Sequence, residues 1–258
     1  MPVPDPVPGL PPAYPSNGRA GRVVQALGAR IVRGEMAPGA AVPTEEQLVA
    51  EYGVGRSSLR EGIKVLAGKG LLESRTSAGT RVRSRESWNL LDPDVLRWRY
   101  HPEASDTDVA ALADLRVALE PGAARLAAES AGPAARREVE RAMADLWATV
   151  DDPDPRAFIE ADLAFHRAVF VAGANDLLLY IHDVISVPMS AVRPLHTHSA
   201  GHNKETLPAH ERVAVAIRRR HHRKAEEAMR EIVEVAREDA LRERPEDALR
   251  QCGPEGDQ

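Results

Sequence analysis

Between Arg19 and Gly34, apolar side chains fall at Val23, Val24, Leu27, Ile31 and Val32, the spacing of one helical face. Gly34 stops that helix, and Pro38-Gly39 marks a turn. Thr44 followed by Glu45, Glu46 and Gln47 forms a capping box, with Gln47 at the third helical position. It opens a short helix, EEQLVAEY, that ends at Gly53. Arg56 starts a third helix, with Leu59, Ile63 and Leu66 on one face and Gly70 closing it. Leu71 and Leu72 lead into ESRTSAGTRVRS, where two short stretches flank a turn of small residues, the pattern of a hairpin.

Helix, turn, helix, tight turn, helix and hairpin is the order of a winged helix-turn-helix. The third helix would dock its apolar face on the first two and turn Arg56, Ser57, Ser58, Arg60 and Lys64 outward. An α-helix fits the major groove of B-DNA, and the N-terminal residues of a recognition helix reach the base edges. Arginine pairs with guanine through two hydrogen bonds. The hydroxyls of Ser57 and Ser58, with the free N–H groups of the helix start, suit phosphate oxygens. The bland alternative is a solvated charged face on an ordinary helical domain.

From Ser84 to Pro102 the chain reads as a linker ending in a short amphipathic segment. Beyond it there is no strand-like alternation. Six helical stretches are expected, at about 106–131, 133–150, 155–173, 175–193, 204–220 and 222–243. The breaks are Gly132-Pro133, Pro153 to Pro155, Gly173-Ala174-Asn175 and the polar stretch around Gly201. The predicted organisation is a Pro-rich tail (1–17), a winged helix-turn-helix (18–84), a linker (85–104), a helical effector-binding and dimerisation domain (105–243) and a polar tail (244–258). The fold class is mainly α, with the second domain an all-α antiparallel bundle.

Composition agrees. Aromatics are only 4% of the 258 residues, so the core must come from Leu, Val and Ala, which favours helices. Net charge is −5, but residues 19–85 carry 12 Lys/Arg against 6 Asp/Glu, a local +6 that leaves −11 elsewhere. A basic module on an acidic body still binds phosphate through its own face. The single cysteine, Cys252, lies in the polar tail and fits a reducing cytoplasm. No apolar run approaches a membrane span, and MPVPDPVPGLPPAYP lacks the features of a signal peptide.

In the second half, Asp162 and His166 are spaced i, i+4 and project from one helical face. His210 begins the amphipathic run HERVAVAI and could converge on them. One carboxylate and two imidazoles suit Zn²⁺, Ni²⁺ or Mn²⁺, with positions left for water or a ligand. The same three residues could equally be hydrogen-bonding groups in a metal-free pocket, or a solvated face. Thr206, just before the His210 helix, either contacts a ligand or caps that helix. A metal-dependent hydrolase using Asp162, His166 and His210 is the rival reading; the chain has no HExxH motif, phosphate loop or nucleophile elbow. A helical interaction protein is a third, and it would not need Arg56 and Arg60 beside serines at a helix start.

The stretch ALGARIVRGEMAPGAAVPTEEQLVAEYGVGRSSLREGIKVLAGKGLLESRTSAGTRV resembles the GntR family of bacterial regulators. The helical half resembles its FCD subfamily, through LRVALEPGAARLAAE (115–129), EADLAFHRAVFVAGAND (160–176) and LPAHERVAVAI (207–217). WNLLDPDVLRW (88–98) is more similar to the galactonate-operon subgroup than to lactate- or fatty-acid-responsive members. The resemblance implies a homodimer on a short palindromic operator, with a small-molecule effector in the helical domain. It places DNA contacts at Arg56, Ser57, Ser58 and Arg60, with wing contacts at Thr76 and Gly79. It makes Asp162, His166 and His210 metal ligands, with Ile232 at a fourth position where the family has histidine. It puts Arg116 in the effector pocket, where it would clamp a carboxylate unless Glu120 pairs with it. Asp162, His166, Thr206 and His210 join it as effector contacts, and a sugar acid is the expected ligand. Three residues depart from the family pattern: Glu46 where an arginine is usual, Gly55 at a usual Ser/Thr cap, and Gly62 in place of alanine, a loss of up to ~1 kcal/mol of helix propensity.

Overall fold

The computed structural model describes residues 14–75, 79–100, 104–192 and 200–242. Thr76, Cys252 and most of both predicted tails lie outside them. The described residues hold ten α-helices and one two-stranded sheet. No helix among them is long and apolar enough to cross a membrane. The chain divides into two compact units, one formed within residues 1–104 together with 179–191, the other within 105–178 and 192–258.

The first unit opens with α1 (Arg19–Val32), which buries Val23, Val24, Leu27 and Ile31 as its spacing predicts. α2 (Glu45–Tyr52) starts on the predicted capping box: Thr44 Oγ1 accepts from Gln47 N, and Gln47 Oε1 accepts from Thr44 N. Gly53 ends it at φ 60°, left-handed backbone that glycine adopts without a Cβ penalty. α3 (Arg56–Gly68) buries Leu59, Gly62 and Leu66 and packs on α1 and α2. β1 (Leu72–Arg75) and β2 (Gly79–Val82) pair antiparallel, with Leu72 opposite Val82 and Ser74 opposite Thr80. Residues 39–42 extend the hairpin on its other edge, since Gly39 N donates to Val82 O and Val42 N to Thr80 O.

α4 (Pro93–Tyr100) falls within the stretch predicted to be a linker and packs on α1. Trp98 enters the same core as Leu27 and Leu59, and its indole Nε1 donates to Gln25 Oε1 at 2.9 Å. Lys69, the C-terminal cap of α3, reaches Asp92 and Asp94 at 2.8 Å each, and Arg97 reaches Asp94 at 3.0 Å. The Asp94 side chain is wholly buried, so this ionic cluster ties the end of α3 to α4. Gly62 has a packing role beside its low helix propensity. A Cβ there would sit 2.8 Å from Val23 Cγ1, so its missing side chain is what lets α3 approach α1.

The second unit is built from α5 (Asp106–Ser130), α6 (Pro133–Thr149), α7 (Pro155–Ala172), α9 (Ala200–Arg218) and α10 (His222–Arg242). α8 (Asp176–Val192) contributes its first residues here and groups from Leu179 onward with the first unit. α10 packs along α5, α6 on α7, and α9 on α10, α6 and α5. The core is made of Ala, Val, Leu, Ile and Met with Phe158 and Phe165. α9 starts at Ala200 rather than at 204. Thr206 is therefore inside the helix, and its hydroxyl donates to Asn203 O at 2.9 Å instead of capping a helix start.

Candidate functional site

Two arrangements of side chains stand out. The first is the exposed start of α3. Gly55 takes the N-cap position in extended backbone and makes no side-chain cap hydrogen bond. Arg56, Ser57 and Arg60 are exposed and Ser58 is half-buried, because Leu59 one position away points into the core and turns its neighbours outward. The free N–H groups of the first turn open to solvent on the same side. The structure brings these four residues together. Gly79 lies at the start of β2, exposed and at φ 73°. Glu46 is exposed at the start of α2. Arg60 does not stand alone, since its guanidinium pairs with Glu45 at 3.0 Å.

The second arrangement is buried in the second unit, where α5, α7 and α9 meet. Asp162 and His166 come from α7, His210 from α9, and each is at most 2% exposed. One potential ligand atom from each lies within 4.8 Å of the others. His210 Nε2 is 3.2 Å from Asp162 Oδ1, and His166 Nε2 is 3.8 Å from the same oxygen. Phe165 packs edge-on to both imidazoles and walls the cluster with apolar surface.

The far sides of the two rings meet acceptors. His210 Nδ1 is 2.9 Å from Thr206 O. His166 Nδ1 is 2.7 Å from Glu120 Oε2, close enough for a hydrogen bond although the ring is not squarely aligned for one. Neither Nε2 has a hydrogen-bond partner, so in the tautomer that carries Nδ1–H on each ring the Nε2 lone pairs face the Asp162 carboxylate. Lone pairs opposed to a carboxylate in a buried site are unfavourable unless a cation lies between them. The residues therefore fit a divalent metal, and the nitrogen-rich donor set fits Zn²⁺, Ni²⁺ or Mn²⁺. Ile232, at the fourth family position, is 7% exposed and belongs to the apolar core, so it supplies no donor.

Glu120 and Arg116, both on α5, complete the cluster. Arg116 Nε donates to Glu120 Oε1 at 2.6 Å, the i, i+4 pair that stood as the alternative to a ligand clamp. Its Nη2 is buried without a hydrogen-bond partner. Burial works to raise the Glu120 carboxyl, but the Arg116 guanidinium and His166 overcome it and hold the group far below the ordinary carboxylate range. Burial pushes His166 below its ordinary value, against the pull of Glu120 and Asp162, and so favours the neutral imidazole that ligates metals.

Sequence reasoning placed Asp162, His166, His210 and Arg116 but missed the role of Glu120. The i, i+4 spacing showed its bond to Arg116; its contact with His166 joins two helices 46 positions apart in the chain, and no local pattern carries it. The sequence places Glu45 only beside the capping box, and its hold on Arg60 is likewise a contact between helices.

Comparison with known proteins places both halves. The family described as bacterial regulatory proteins, gntR family, matches residues 19–82, and the FCD domain family matches residues 111–235. The chain is 33% identical over 208 residues to the galactonate operon transcriptional repressor of Escherichia coli strain K12, covering 80% of this chain and 90% of that protein. It is 28% identical over 209 residues to the HTH-type transcriptional repressor NanR of the same strain, covering 80% and 78%. Among solved structures it is similar to Lar, which controls expression of the Listeria monocytogenes agr system; the TM-score is 0.61 at 15% identity, covering 88% of this chain and 98% of that one. That last likeness shows the fold alone. The families and these relatives are transcriptional regulators, which sets aside the hydrolase reading. With a relative 33% identical over nine-tenths of its length, this chain belongs to the GntR family of bacterial regulatory proteins, and its helical half is an FCD domain.

Proposed function

We propose that this protein is a cytoplasmic, ligand-responsive repressor of a carbohydrate-acid catabolic operon, which a small carboxylate such as a sugar acid releases from its operator. The observation that carries the effector half is the buried cluster of Asp162, His166 and His210, with Arg116 Nη2 left unpartnered beside it. Asp162, His166 and His210 would hold a divalent metal, which when bound supplies a Lewis-acidic point for oxygen ligands. Arg116 offers its unpartnered Nη2 to a carboxylate, and Thr206, one turn before His210, would contribute its hydroxyl oxygen, whose proton goes to Asn203 O. An α-hydroxy acid matches that combination of donors. The similarity to a galactonate operon repressor supports the same ligand class.

DNA is read by Arg56, Ser57, Ser58 and Arg60 at the start of α3, with the wing at Thr76 and Gly79 beside the groove. The DNA-binding domain takes 18–84, with α4 of the 85–104 stretch packed onto it, and the effector and dimerisation domain takes 105–243. Two copies form a homodimer whose recognition helices enter successive major grooves of a palindrome. Effector binding favours a dimer geometry that no longer matches that spacing.

The test is a thermal-shift screen of sugar acids against the full-length protein, with and without Zn²⁺, Ni²⁺ and Mn²⁺. It is paired with fluorescence anisotropy on the DNA upstream of its own gene. A sugar acid should raise the melting midpoint and displace the DNA, more strongly with metal present. If no sugar acid stabilises the protein under either condition, the ligand class is wrong.

A further inference from the structure

The guanidinium of Arg60 is already engaged before any DNA arrives. Its Nε donates to Glu45 Oε1 at 3.0 Å and its Nη2 to Glu45 Oε2 at 3.1 Å. This two-pronged contact joins the second turn of α3 to the first turn of α2. The side chains are 62% and 43% exposed, and an ion pair so exposed adds little to folding stability. Its geometry has a different effect.

A guanidinium carries five N–H donors in one rigid plane. Glu45 occupies one edge of that plane, taking the single Nε donor and one of the two on Nη2. The donors left are both on Nη1 and the second on Nη2. One from each nitrogen points outward along the end of the side chain, in parallel. That pair is the fork that matches O6 and N7 of a guanine in the major groove. An exposed arginine without such a support swings through many rotamers and settles on any phosphate within reach.

We propose that Glu45 is a specificity-determining residue acting through Arg60: it fixes the guanidinium so that the end-on fork faces the groove, and it offsets the charge that would bind phosphate indiscriminately. This rests on the DNA-reading role of α3 given above. Glu45 is then a positioning residue that lowers affinity for DNA in general and raises discrimination among sequences.

Glu45→Gln separates this from simple repulsion, because the two accounts differ in what happens to the affinity ratio. The probes are a duplex selected by the full-length wild-type protein from a random pool and a scrambled duplex of equal length, titrated by anisotropy at several salt concentrations. Affinity for the scrambled duplex should rise, while the specific-to-scrambled ratio falls by about tenfold, toward the low end of what one arginine–guanine fork discriminates. The salt dependence should steepen by about one phosphate contact as Arg60 is freed. Glu45→Asp keeps the charge and shortens the reach, so it should lose discrimination without the general rise in affinity. Reselection with Glu45→Gln should relax preference at the same base pair as Arg60→Ala. An equal rise on both duplexes with the ratio unchanged overturns the inference and leaves the role of α3 intact. A wild-type protein with no sequence preference overturns both.

Discussion

Oε2 of Glu120 lies 2.7 Å from Nδ1 of His166, while its other oxygen accepts from Arg116 Nε at 2.6 Å. One buried carboxylate thus holds both the proposed ligand-clamping arginine and a proposed metal-ligating histidine. A histidine oriented by a carboxylate through its second nitrogen is a stronger and better-aimed ligand. Glu120→Gln should weaken Zn²⁺ or Ni²⁺ binding by about 10- to 100-fold, read by competition with a chromophoric chelator. Glu120→Ala should also cost about 3–5 kcal/mol of stability, because it leaves Arg116 charged and buried without its partner. Unchanged metal affinity in the glutamine variant would remove Glu120 from the site.

Acid should destabilise the metal-free protein in two stages. Burial holds His166 below its ordinary value of 6.5. The unfolded chain therefore takes up a proton near that pH while the folded chain does not, and stability falls as pH drops below it. Glu120 is raised by burial and lowered more strongly by Arg116, so it ends below its ordinary 4.5. Its contribution is complete above that value and is lost as pH falls beneath it. Melting midpoints of chelator-treated protein should decline from about pH 6.5 downward, and His166→Gln should lack the first stage. Identical profiles for the two proteins would refute this assignment.

Gly55, the N-cap of α3, and Gly62, within it, should respond oppositely to substitution. Gly55 has open space around it and extended backbone, so Gly55→Ser supplies the missing cap and should stabilise by a few tenths of a kcal/mol. Gly62→Ala gains up to ~1 kcal/mol of helix propensity, but its Cβ would meet Val23 Cγ1 at 2.8 Å. Overpacking at a core contact costs about 1–3 kcal/mol, so the net change should be a loss. Urea unfolding of the two variants measures both signs.

Lys69→Met should be among the more damaging changes in the first unit. It leaves Asp94, whose side chain is wholly buried, without one of its two cations, and breaking such a pair costs about 3–5 kcal/mol. Asp92→Asn, at a partner that is 16% exposed, should cost less. Chemical denaturation that ranks them in the reverse order would contradict the burial argument.

Much of this was legible in the sequence because it is local. The capping box at Thr44, the break at Gly132-Pro133 and the apolar face of α1 each depend on residues within a few positions of one another. Most of the helices begin or end near a feature of that kind; α9 does not. The first turns of α9, GHNKE, are polar with no apolar stripe, so periodicity places its start at 204, whereas the helix begins at Ala200. The pairs Glu45–Arg60 and Glu120–His166 were not legible, because each joins different helices and depends on how those helices pack. The stretch 85–104 reads as a connector in the sequence, ending in a short amphipathic segment. Trp98, within the short amphipathic end of that stretch, turns out to close the first core.

Trp98 also sets a condition on Gly28. A Cβ at position 28 would lie 2.4 Å from the indole ring, so α4 seats against α1 only where that methyl group is missing. Positions 28 and 98 are therefore locked together as the chain diverges. An alanine at 28 becomes tolerable only once a smaller side chain has replaced the tryptophan, and the intermediate with both large groups must pass through a weakened fold. Descendants of this sequence should change the two positions as a pair, with the tryptophan going first.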